Sequence, residues 1–531
     1  MPPPLLRSLV LAGALLTGFF WWALLSDPHP PDAPPSEPGP FPRASQAEPT
    51  QPLVFLPGAE LSTEPASGLA ESVGGQEAGV RLAADPMTIP GEALLRFSDA
   101  AALEGFLARL GNSPSLQVLA RLDGFHALRV RFADSADLLA ATGDPELIEP
   151  NFYVTIPEAL TSPEPSGDPV GFGSSALSYL GLADHQGLGE GVTLALIDSG
   201  VAPHSNFEGV SLQHFNLSAS PSVENGHGTA VASILVGGHL GLSGVAPAAH
   251  LLSYQVTDAA GVTDTFTLAS AIQQAVDAGA QVINLSLGTT GNSQLLRDAV
   301  AYAASQGAVL VAAAGNNGSD QALYPAALDG VVGVGAIDAR GELAYFSNTG
   351  ETVDLVAPGY QVHAAWPQER FLPFSGTSSS TPFVSGAIAA TLSSHSGLTS
   401  SQAAQHVLRY TNDVGPLGPD PLYGAGILDI GRSLVGSTPG VVDLALNGLY
   451  QPDSANFRSQ LLVQNRGTEP LLGATVTVTS SGPPQDFLVP SLAPGQTHVL
   501  QVLVGPEGSF QAVARVTSET DVRPENNRLT R

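Results

Sequence analysis

Cysteine is absent from this 531-residue chain, so neither a disulfide bond nor a thiolate metal site can form. Lysine is absent as well, and 19 arginines face 48 acidic residues, which gives a formal net charge of −29 at pH 7. Nucleic-acid-binding domains need a basic face, so this balance argues against that class. The acidity is typical of a solvated surface that keeps a protein soluble.

Long apolar runs are also scarce, except for one near the N-terminus. Arg7 is the only charged residue before an apolar run over residues 9–25, which ends with aromatic residues at 19–22. The pattern predicts a signal peptide or a membrane anchor in residues 1–26, with the body of the protein extracytoplasmic. The length of the run and the lack of a small-x-small cleavage site favour an anchor formed by residues 8–25. A buried core helix is the third interpretation, and the terminal position disfavours it.

Two further segments precede the main part of the chain. Residues 27–86 are rich in Pro, Glu, Ser and Gly, which predicts a semi-rigid, disordered linker. Residues 87–157 then show strand-like and helix-like patterns, with a strand at 126–132 and a helix at 101–110. They predict a small α+β domain with a modest core.

Residues 158–437 alternate between apolar strands and helices. The predicted strands cover 191–197, 251–256, 282–286 and 308–314, and the predicted helices include 265–278 and 293–305. This alternation predicts an α/β domain with a doubly wound, mainly parallel sheet.

Three polar residues stand at element ends of this α/β pattern. Asp198 follows the strand at 191–197, Asn316 follows the strand at 308–314, and His227 lies between glycines before a helix of small residues. Open α/β sheets place their sites at the carboxyl ends of strands. Each residue also has an ordinary structural interpretation, since Asp and Asn-Gly are common in turns and isolated histidines are mostly structural.

Ser378 stands in a glycine- and serine-rich stretch, residues 374–386, that leads into a buried helix. Pro382 suits the first turn of that helix. A serine at a helix N-terminus could attack a carbonyl and have the oxyanion stabilised by unpaired backbone N–H groups. The alternative is a Ser/Thr-rich helix cap, which is common.

Taken together and in order, these residues resemble the subtilisin-like serine proteases, the subtilases. The Asp, His, Ser order is the subtilisin order. Matching stretches run between residues 191 and 435 and include Ile-Asp-Ser-Gly at 197–200, His-Gly-Thr at 227–229, Ala-Gly-Asn at 314–316 and Gly-Thr-Ser at 376–378.

The resemblance implies a mechanism and a substrate. Ser378 would be the nucleophile, His227 the base, Asp198 its orienting acid and Asn316 an oxyanion donor, with no metal or organic cofactor. A polypeptide would lie extended between residues 261–263 and 286–288, and uncharged walls would favour apolar side chains before the scissile bond. The implied substrate-binding residues are Gly261, Ser286, Leu287, Gly288, Ala313, Ala314 and Gly315.

The small domain at 87–157 resembles the pro-domain of the same family. The matching parts are Ile-Pro-Gly-Glu at 89–92 and Ile-Glu-Pro-Asn at 148–151. The resemblance implies an intramolecular inhibitor that assists folding and is then cleaved off, with the junction between residues 154 and 173. A small structural domain is the alternative.

Two departures from the family pattern concern calcium and oxidation. The loop at 237–244 lacks carboxylate or Asn ligands, so a structural calcium is not indicated where many relatives bind one. Ser379 follows the nucleophile where relatives often carry Met, so we expect resistance to peroxide.

The C-terminal residues 438–531 show short strands with period-two alternation, separated by turns, which predict a β-sandwich. They resemble Ig-like, adhesion-related modules of extracellular bacterial enzymes, which bind surfaces or substrates; a passive stabilising role is equally open. The whole chain thus predicts an extracytoplasmic serine endopeptidase made as a zymogen. A catalytically silent subtilase fold that serves binding or adhesion is the main alternative, and peptide-bond transfer is a narrower one.

Overall fold

The computed structural model describes residues 86–111, 115–158, 169–182, 186–239, 242–453, 458–480, 482–504, 510–516 and 520–530. The predicted signal peptide or anchor lies outside these residues, as does the predicted linker apart from its last residue. Within the described ranges, we find no helix with the length and apolar character needed to cross a membrane.

The N-terminal region, residues 86–158, is an antiparallel sheet packed against two helices. The strand order β4-β1-β3-β2 closes one apolar core around Leu103 and Phe106, which lie on one face of the first helix. Its elements are β1 (Thr88–Arg96), α1 (Ala100–Leu110), β2 (Leu116–Leu122), β3 (Ala127–Phe132), α2 (Ser135–Thr142) and β4 (Ile148–Thr155). Asp99 and Asp134 cap the two helices through side-chain oxygens.

The central region, residues 169–437, contains a seven-stranded sheet and most of the helices. Its strands are β5 (Thr193–Asp198), β6 (Leu212–Asn216), β7 (Gly238–His239), β8 (Leu242–Ser243), β9 (His250–Gln255), β10 (Val262–Asp264), β11 (Val282–Leu285), β12 (Val309–Ala313), β13 (Val331–Ile337), β14 (Leu355–Pro358), β15 (Val362–Trp366) and β16 (Arg370–Phe374). Its helices are α3 (Ala176–Tyr179), α4 (His227–Val236), α5 (Thr265–Asp277), α6 (Gln294–Ser305), α7 (Thr377–Ser394), α8 (Ser400–Arg409) and α9 (Ile430–Val435).

The large sheet has the order β14-β13-β12-β11-β5-β9-β6, and every neighbouring pair is parallel. Strands β12 and β13 are buried along their whole length, as expected for strands covered on both faces. Helices α4 and α7 pack together against the sheet, and α5 and α6 form a second packed pair that contacts β5 and β12. The α/β class expected from the sequence is confirmed, with its mainly parallel sheet.

Helix α7 begins at Thr377, so Pro382 lies in its second turn and not in the first turn as the sequence suggested. Proline has no N–H, and the carbonyl of Ser378 therefore loses its helical partner four residues on. The hydroxyl of Ser286 compensates by donating to that carbonyl at 3.2 Å. The helix continues through the proline because a side chain from the sheet satisfies the freed acceptor.

The C-terminal region consists of two β-sheets around one apolar core. Its strands are β17 (Leu444–Asp453), β18 (Arg458–Asn465), β19 (Ala474–Thr479), β20 (Gln485–Val489), β21 (Thr497–Leu503), β22 (Gln511–Val516) and β23 (Arg528–Thr530). The sheet β17-β18-β21 contributes Leu461 to the core, and the sheet β20-β19-β22-β23 contributes Val476. The sequence missed β20 and β23, which are short edge strands with few buried residues.

Candidate active site

Asp198 and His227 are joined at the carboxyl edge of the sheet. Asp198 is the last residue of β5, and His227 is the first residue of α4. The imidazole Nδ1 lies 2.8 Å and 3.0 Å from the two carboxylate oxygens of Asp198. Both side chains are buried, so the pair is shielded from water and the ring is held in one orientation.

The backbone around His227 allows this close approach. A Cβ on Gly228 would lie 2.3 Å from the carbonyl oxygen of Gly200, so only glycine fits there. The Asn225 side chain accepts a hydrogen bond from the His227 N–H at 3.0 Å and satisfies one free donor of the helix start. Sequence reasoning assigned no separate role to Gly228 or Asn225.

Asn316 is held by the segment that precedes the serine. Its Oδ1 accepts from the Thr377 N–H at 2.8 Å and from the Thr377 hydroxyl at 2.9 Å. These two donors fix which end of the amide is oxygen, so the NH₂ group must point away from Thr377. Gly376, at φ 136°, leaves room for that amide, because a Cβ there would lie 2.8 Å from Nδ2. Sequence reasoning missed the part that Thr377 plays here.

The end of the N-terminal region lies in the cleft as an extended peptide. Strand β4 pairs antiparallel with β10, and Thr155 exchanges two 2.9 Å backbone hydrogen bonds with Gly288. The Ile156 N–H donates to the Gly261 carbonyl at 3.0 Å. The Pro157 carbonyl then accepts a 2.7 Å hydrogen bond from Asn316 Nδ2.

Ser378 is the second residue of α7 and is buried. Its hydroxyl donates to the Ser286 carbonyl at 3.3 Å, and within the described residues the buried Nε2 of His227 has no hydrogen-bond partner. The antiparallel register places Pro157 opposite Ser286, and proline offers no N–H to that carbonyl. The hydroxyl of Ser378 therefore donates to an acceptor that the bound peptide leaves free.

The other residues named from the sequence lie at or just beyond the ends of β11 and β12, or immediately before β10. Gly261 and Gly288 supply the backbone partners on either side of the peptide, and Leu287 is buried. The Ala314 carbonyl accepts from Leu323, and the Gly315 N–H donates to the hydroxyl of Thr377 at 3.1 Å. Ala313 ends β12 and is buried. The substrate-binding roles of these residues remain predictions.

A second layer of polar contacts supports Ser286. Asn284 Nδ2 donates to the Ser286 hydroxyl at 3.1 Å, and Asn284 Oδ1 accepts from Ser385 at 2.9 Å. All three side chains are buried between the sheet and α7. This chain ties the helix that carries Ser378 to the neighbouring strand β11. The Asn-Leu-Ser pattern at 284–286 was the available sequence signal.

One acidic residue of the N-terminal region binds the start of α6. Glu149 accepts hydrogen bonds of 3.1 Å from the hydroxyl of Ser293 and from the N–H groups of Gln294 and Leu295. A carboxylate at a helix N-terminus complements the helix dipole. Burial nevertheless raises the pKa of Glu149, because desolvation outweighs these hydrogen bonds.

Arg129 joins the two regions through a second acidic pair. Its guanidinium lies 2.7 Å from Glu92 in the N-terminal region and 2.8 Å from Asp264, which caps α5. Burial alone would raise the pKa of Glu92, but hydrogen bonds and charge from Arg129, with help from Arg131, hold that pKa below its usual range. Arg96 forms a further ion pair with Asp298 on α6.

No cluster of three or more His, Asp or Glu side chains suited to a metal ion occurs in the part of the chain that the structure describes. The loop predicted to lack calcium ligands includes the short pair β7 and β8. The absence of a cofactor remains an expectation.

A buried Asp–His pair, a serine at a helix start and an amide donor on a peptide carbonyl are typical of serine hydrolases that act on peptides. Comparison with known proteins is more specific, since the model of the subtilase family matches residues 189–426. A thermostable alkaline protease of Halalkalibacterium halodurans is 36% identical over 46% of this chain and 68% of its own length.

Subtilisin Savinase of Lederbergia lenta is 35% identical over 46% of this chain and 92% of its own length. The chain is also similar to the crystal structure of fervidolysin from Fervidobacterium pennivorans, a keratinolytic enzyme related to subtilisin. The match covers 81% of this chain and 71% of the fervidolysin chain. Its TM-score is 0.57 at 20% identity, which shows a shared fold. The chain belongs to the subtilase family of serine endopeptidases.

Proposed function

We propose that the protein is made as a zymogen and becomes an endopeptidase that uses Asp198, His227 and Ser378. Ser378 attacks the scissile carbonyl, and His227 takes its proton and later gives it to the leaving amine. Asp198 holds the ring and stabilises the imidazolium. Asn316 and the Ser378 N–H bind the oxyanion. The single observation that carries the proposal is the peptide carbonyl held by Asn316 beside the buried Asp198–His227 pair.

We infer that the bond between Pro157 and Glu158 is the processing site. The Pro157 carbonyl lies on the donor that would stabilise its oxyanion, and residues 153–156 pair with both edges of the cleft. The N-terminal region therefore acts as the intramolecular inhibitor that occupies the cleft before cleavage. The corresponding domains are a pro-domain at 87–157, a catalytic domain at 158–437 and a β-sandwich at 438–531.

The substrates are polypeptides, bound as an added strand between residues 261–263 and 286–288. The chemistry needs neither a metal ion nor an organic cofactor. An N-terminal signal or anchor would place the enzyme outside the cytoplasm, either secreted or tethered through residues 8–25. The C-terminal sandwich is an Ig-like module, and its contacts with α9 favour a stabilising role over a freely moving adhesion module.

A fluorophosphonate probe tests the proposal directly. The full chain should process itself and then be labelled, whereas Ser378→Ala should remain at full precursor length and stay unlabelled. Sequencing the new N-terminus should give Glu158. Ser380→Ala, which removes a buried hydroxyl two residues further along the same helix, is the matched control and should still be labelled.

The silent-fold alternative predicts a different result. If the chain is only a binding or adhesion protein, no processing occurs and no label depends on Ser378. A labelled protein that still does not cleave polypeptides would favour a transferase, and adding an amine nucleophile would then increase product formation.

A further inference from the structure

A cavity lies where the C-terminal region, residues 438–531, meets helix α9. Its volume is about 290 Å³, far more than the roughly 10–15 Å³ that one water molecule needs. The lining includes Arg432 from α9, Arg466 and Arg523 from the C-terminal region, and one acidic residue, Asp443. The whole chain has 19 basic residues against 48 acidic ones, so three arginines at one cavity make a local excess of positive charge.

Two carboxylates near these arginines accept hydrogen bonds from other donors. Asp429 accepts from the backbone N–H of Arg432 at 2.8 Å and from the side chain of Asn412 at 3.2 Å. Asp443 accepts from the side chain of Asn526 at 2.8 Å. Neither carboxylate is therefore devoted to a guanidinium group.

The ion pairs with the arginines are correspondingly long. Arg523 Nη1 lies 3.4 Å from Asp429, Arg523 Nε lies 3.8 Å from Asp443, and Arg466 Nη1 lies 4.0 Å from Asp429. Strong charge-assisted hydrogen bonds measure about 2.7–2.9 Å. Arg432 uses Nε and Nη1 on backbone carbonyls, and its Nη2 bonds no residue that the structure describes. Each of the three guanidinium groups thus keeps donor capacity that the described residues leave unused.

The positive charges at this cavity also oppose one another. Burial, and after it the charge of Arg466, lowers the pKa of Arg432 to about 10. Burial lowers the pKa of Arg466 too, and the charge of Arg523 acts in the same direction. Like charges in a partly dry site destabilise each other unless an opposite charge compensates them. An anion in the cavity would supply that compensation.

We propose that this cavity binds a small dianionic oxyanion, sulfate or hydrogen phosphate, which fastens the C-terminal region to α9. The lining carries three positive charges and one negative charge, which two charges on the ligand would balance. Three guanidinium groups on separate side chains suit a tetrahedral oxyanion, whereas a carboxylate is matched by a single one. Val435 and Val522 of the lining are exposed, so a free ion can enter from solvent. The net charge of −29 disfavours a polyanion as the ligand.

The inference does not depend on catalysis, and calorimetry tests it. Sodium sulfate is titrated into the full-length Ser378→Ala protein at pH 7, with ionic strength held constant by sodium chloride. We expect saturable binding and a rise in the unfolding temperature with sulfate concentration, because a ligand that binds only the folded state stabilises it. Inorganic phosphate should act in the same way, and acetate should bind much more weakly.

Two variants of the cavity should change sulfate affinity in opposite directions. Arg523→Gln should weaken binding by about tenfold or more, because one hydrogen bond to a charged group contributes at least that factor. Asp443→Asn removes the negative charge of the lining, keeps an acceptor for Asn526, and should strengthen binding several-fold. Arg515→Gln, at an exposed arginine of β22, is the matched control and should bind sulfate like the parent.

A purely structural charge cluster predicts a different pattern, in which Arg523→Gln and Asp443→Asn both lower stability and neither changes the response to sulfate. That pattern, or no saturable binding to the parent, would overturn the inference. Acetate that binds as tightly as sulfate would overturn the choice of a dianion. If Arg523→Gln does not fold, the parent and Asp443→Asn decide, since stronger sulfate binding in Asp443→Asn requires an anion beside that carboxylate.

Discussion

The side-chain amide of Asn316 donates a 2.7 Å hydrogen bond to the carbonyl oxygen of Pro157, which lies 159 residues earlier in the chain. The orientation of the amide is set by Thr377, which donates twice to its oxygen. The donor is therefore in place before any charge develops on a carbonyl, which is how an oxyanion site accelerates acyl transfer. The peptide that occupies the site belongs to the protein itself.

Asn316→Ala should lower kcat for peptide hydrolysis by about 10²–10³-fold with little change in KM, because the lost donor acts mainly on the transition state. This magnitude is the one known for the oxyanion-hole amide of subtilisin. Steady-state kinetics on the processed enzyme measure it. Asn317→Ala, at the exposed neighbouring position, should keep near-normal kcat. An Asn316→Ala enzyme with wild-type kcat would remove this residue from the mechanism.

Glu92→Gln should destabilise the unprocessed chain at pH 7 by about 1–3 kcal/mol, because it weakens charge-assisted hydrogen bonds from Arg129 and Arg131. The pKa of Glu92 lies below its ordinary value of 4.5 in the folded chain, so its stabilisation is present above that pH and is lost as the pH falls. The difference between variant and parent should therefore shrink towards pH 4 and below.

Thermal unfolding of the parent and of Glu92→Gln, each at several pH values, measures the difference in stability between them. Both proteins carry Ser378→Ala, which prevents processing. The raised pKa of Glu149 acts in the opposite direction and cancels in the comparison. Glu104→Gln weakens an exposed pair with Arg121 and should change stability far less than Glu92→Gln, because water screens exposed ion pairs. A Glu92→Gln difference that grows as the pH falls would contradict the assignment.

Arg432→Met should lower the free energy of unfolding by about 2–4 kcal/mol, because the buried guanidinium joins α9 to the C-terminal sheets. Arg432 donates to the Thr411 carbonyl at 2.8 Å and to the Arg466 carbonyl at 3.0 Å, and it lies over the ring of Tyr410. Burial lowers its pKa to about 10, so it remains charged at neutral pH.

Denaturant unfolding checks this value, with Arg409→Met as the control at an exposed arginine of α8. If the C-terminal module contributed nothing to stability, Arg432→Met and the parent chain would have the same free energy of unfolding. Equal free energies of unfolding for Arg432→Met and Arg409→Met would exclude the stabilising role proposed for the C-terminal module.

The processed enzyme should keep its activity in dilute peroxide. Its residues 158–531 contain neither Met nor Cys, the two side chains most readily oxidised, and buried Ser379 follows Ser378, the proposed nucleophile. Residual activity after timed exposure measures the effect. Ser379→Met places a thioether beside Ser378 and should lose activity faster. Rapid inactivation of the parent enzyme would show that another residue near the site is oxidised.

Sequence reasoning placed Asp198 and Asn316 at the ends of buried strands, where the structure also has them. Apolar runs before Asp198 and Asn316 indicated buried parallel strands, and parallel strands end at a common edge, so both side chains were expected near one another. The helix start at Ser378 followed from glycine and small residues in the same way. Reasoning of this kind failed at Pro382, where a hydroxyl from the neighbouring strand lets the helix continue through a proline.

The sequence by itself therefore determined the α/β class, the chain order of Asp198, His227 and Ser378, the absence of cysteine, and the absence of methionine after residue 87. Only the tertiary structure decided that Pro157 meets Asn316, that three arginines from separate segments line one cavity, and that Arg432 is buried against the C-terminal sheets. The physical reason is that periodicity reports which face of an element is buried. The partner of that face is chosen by packing and hydrogen bonding between segments far apart in the chain.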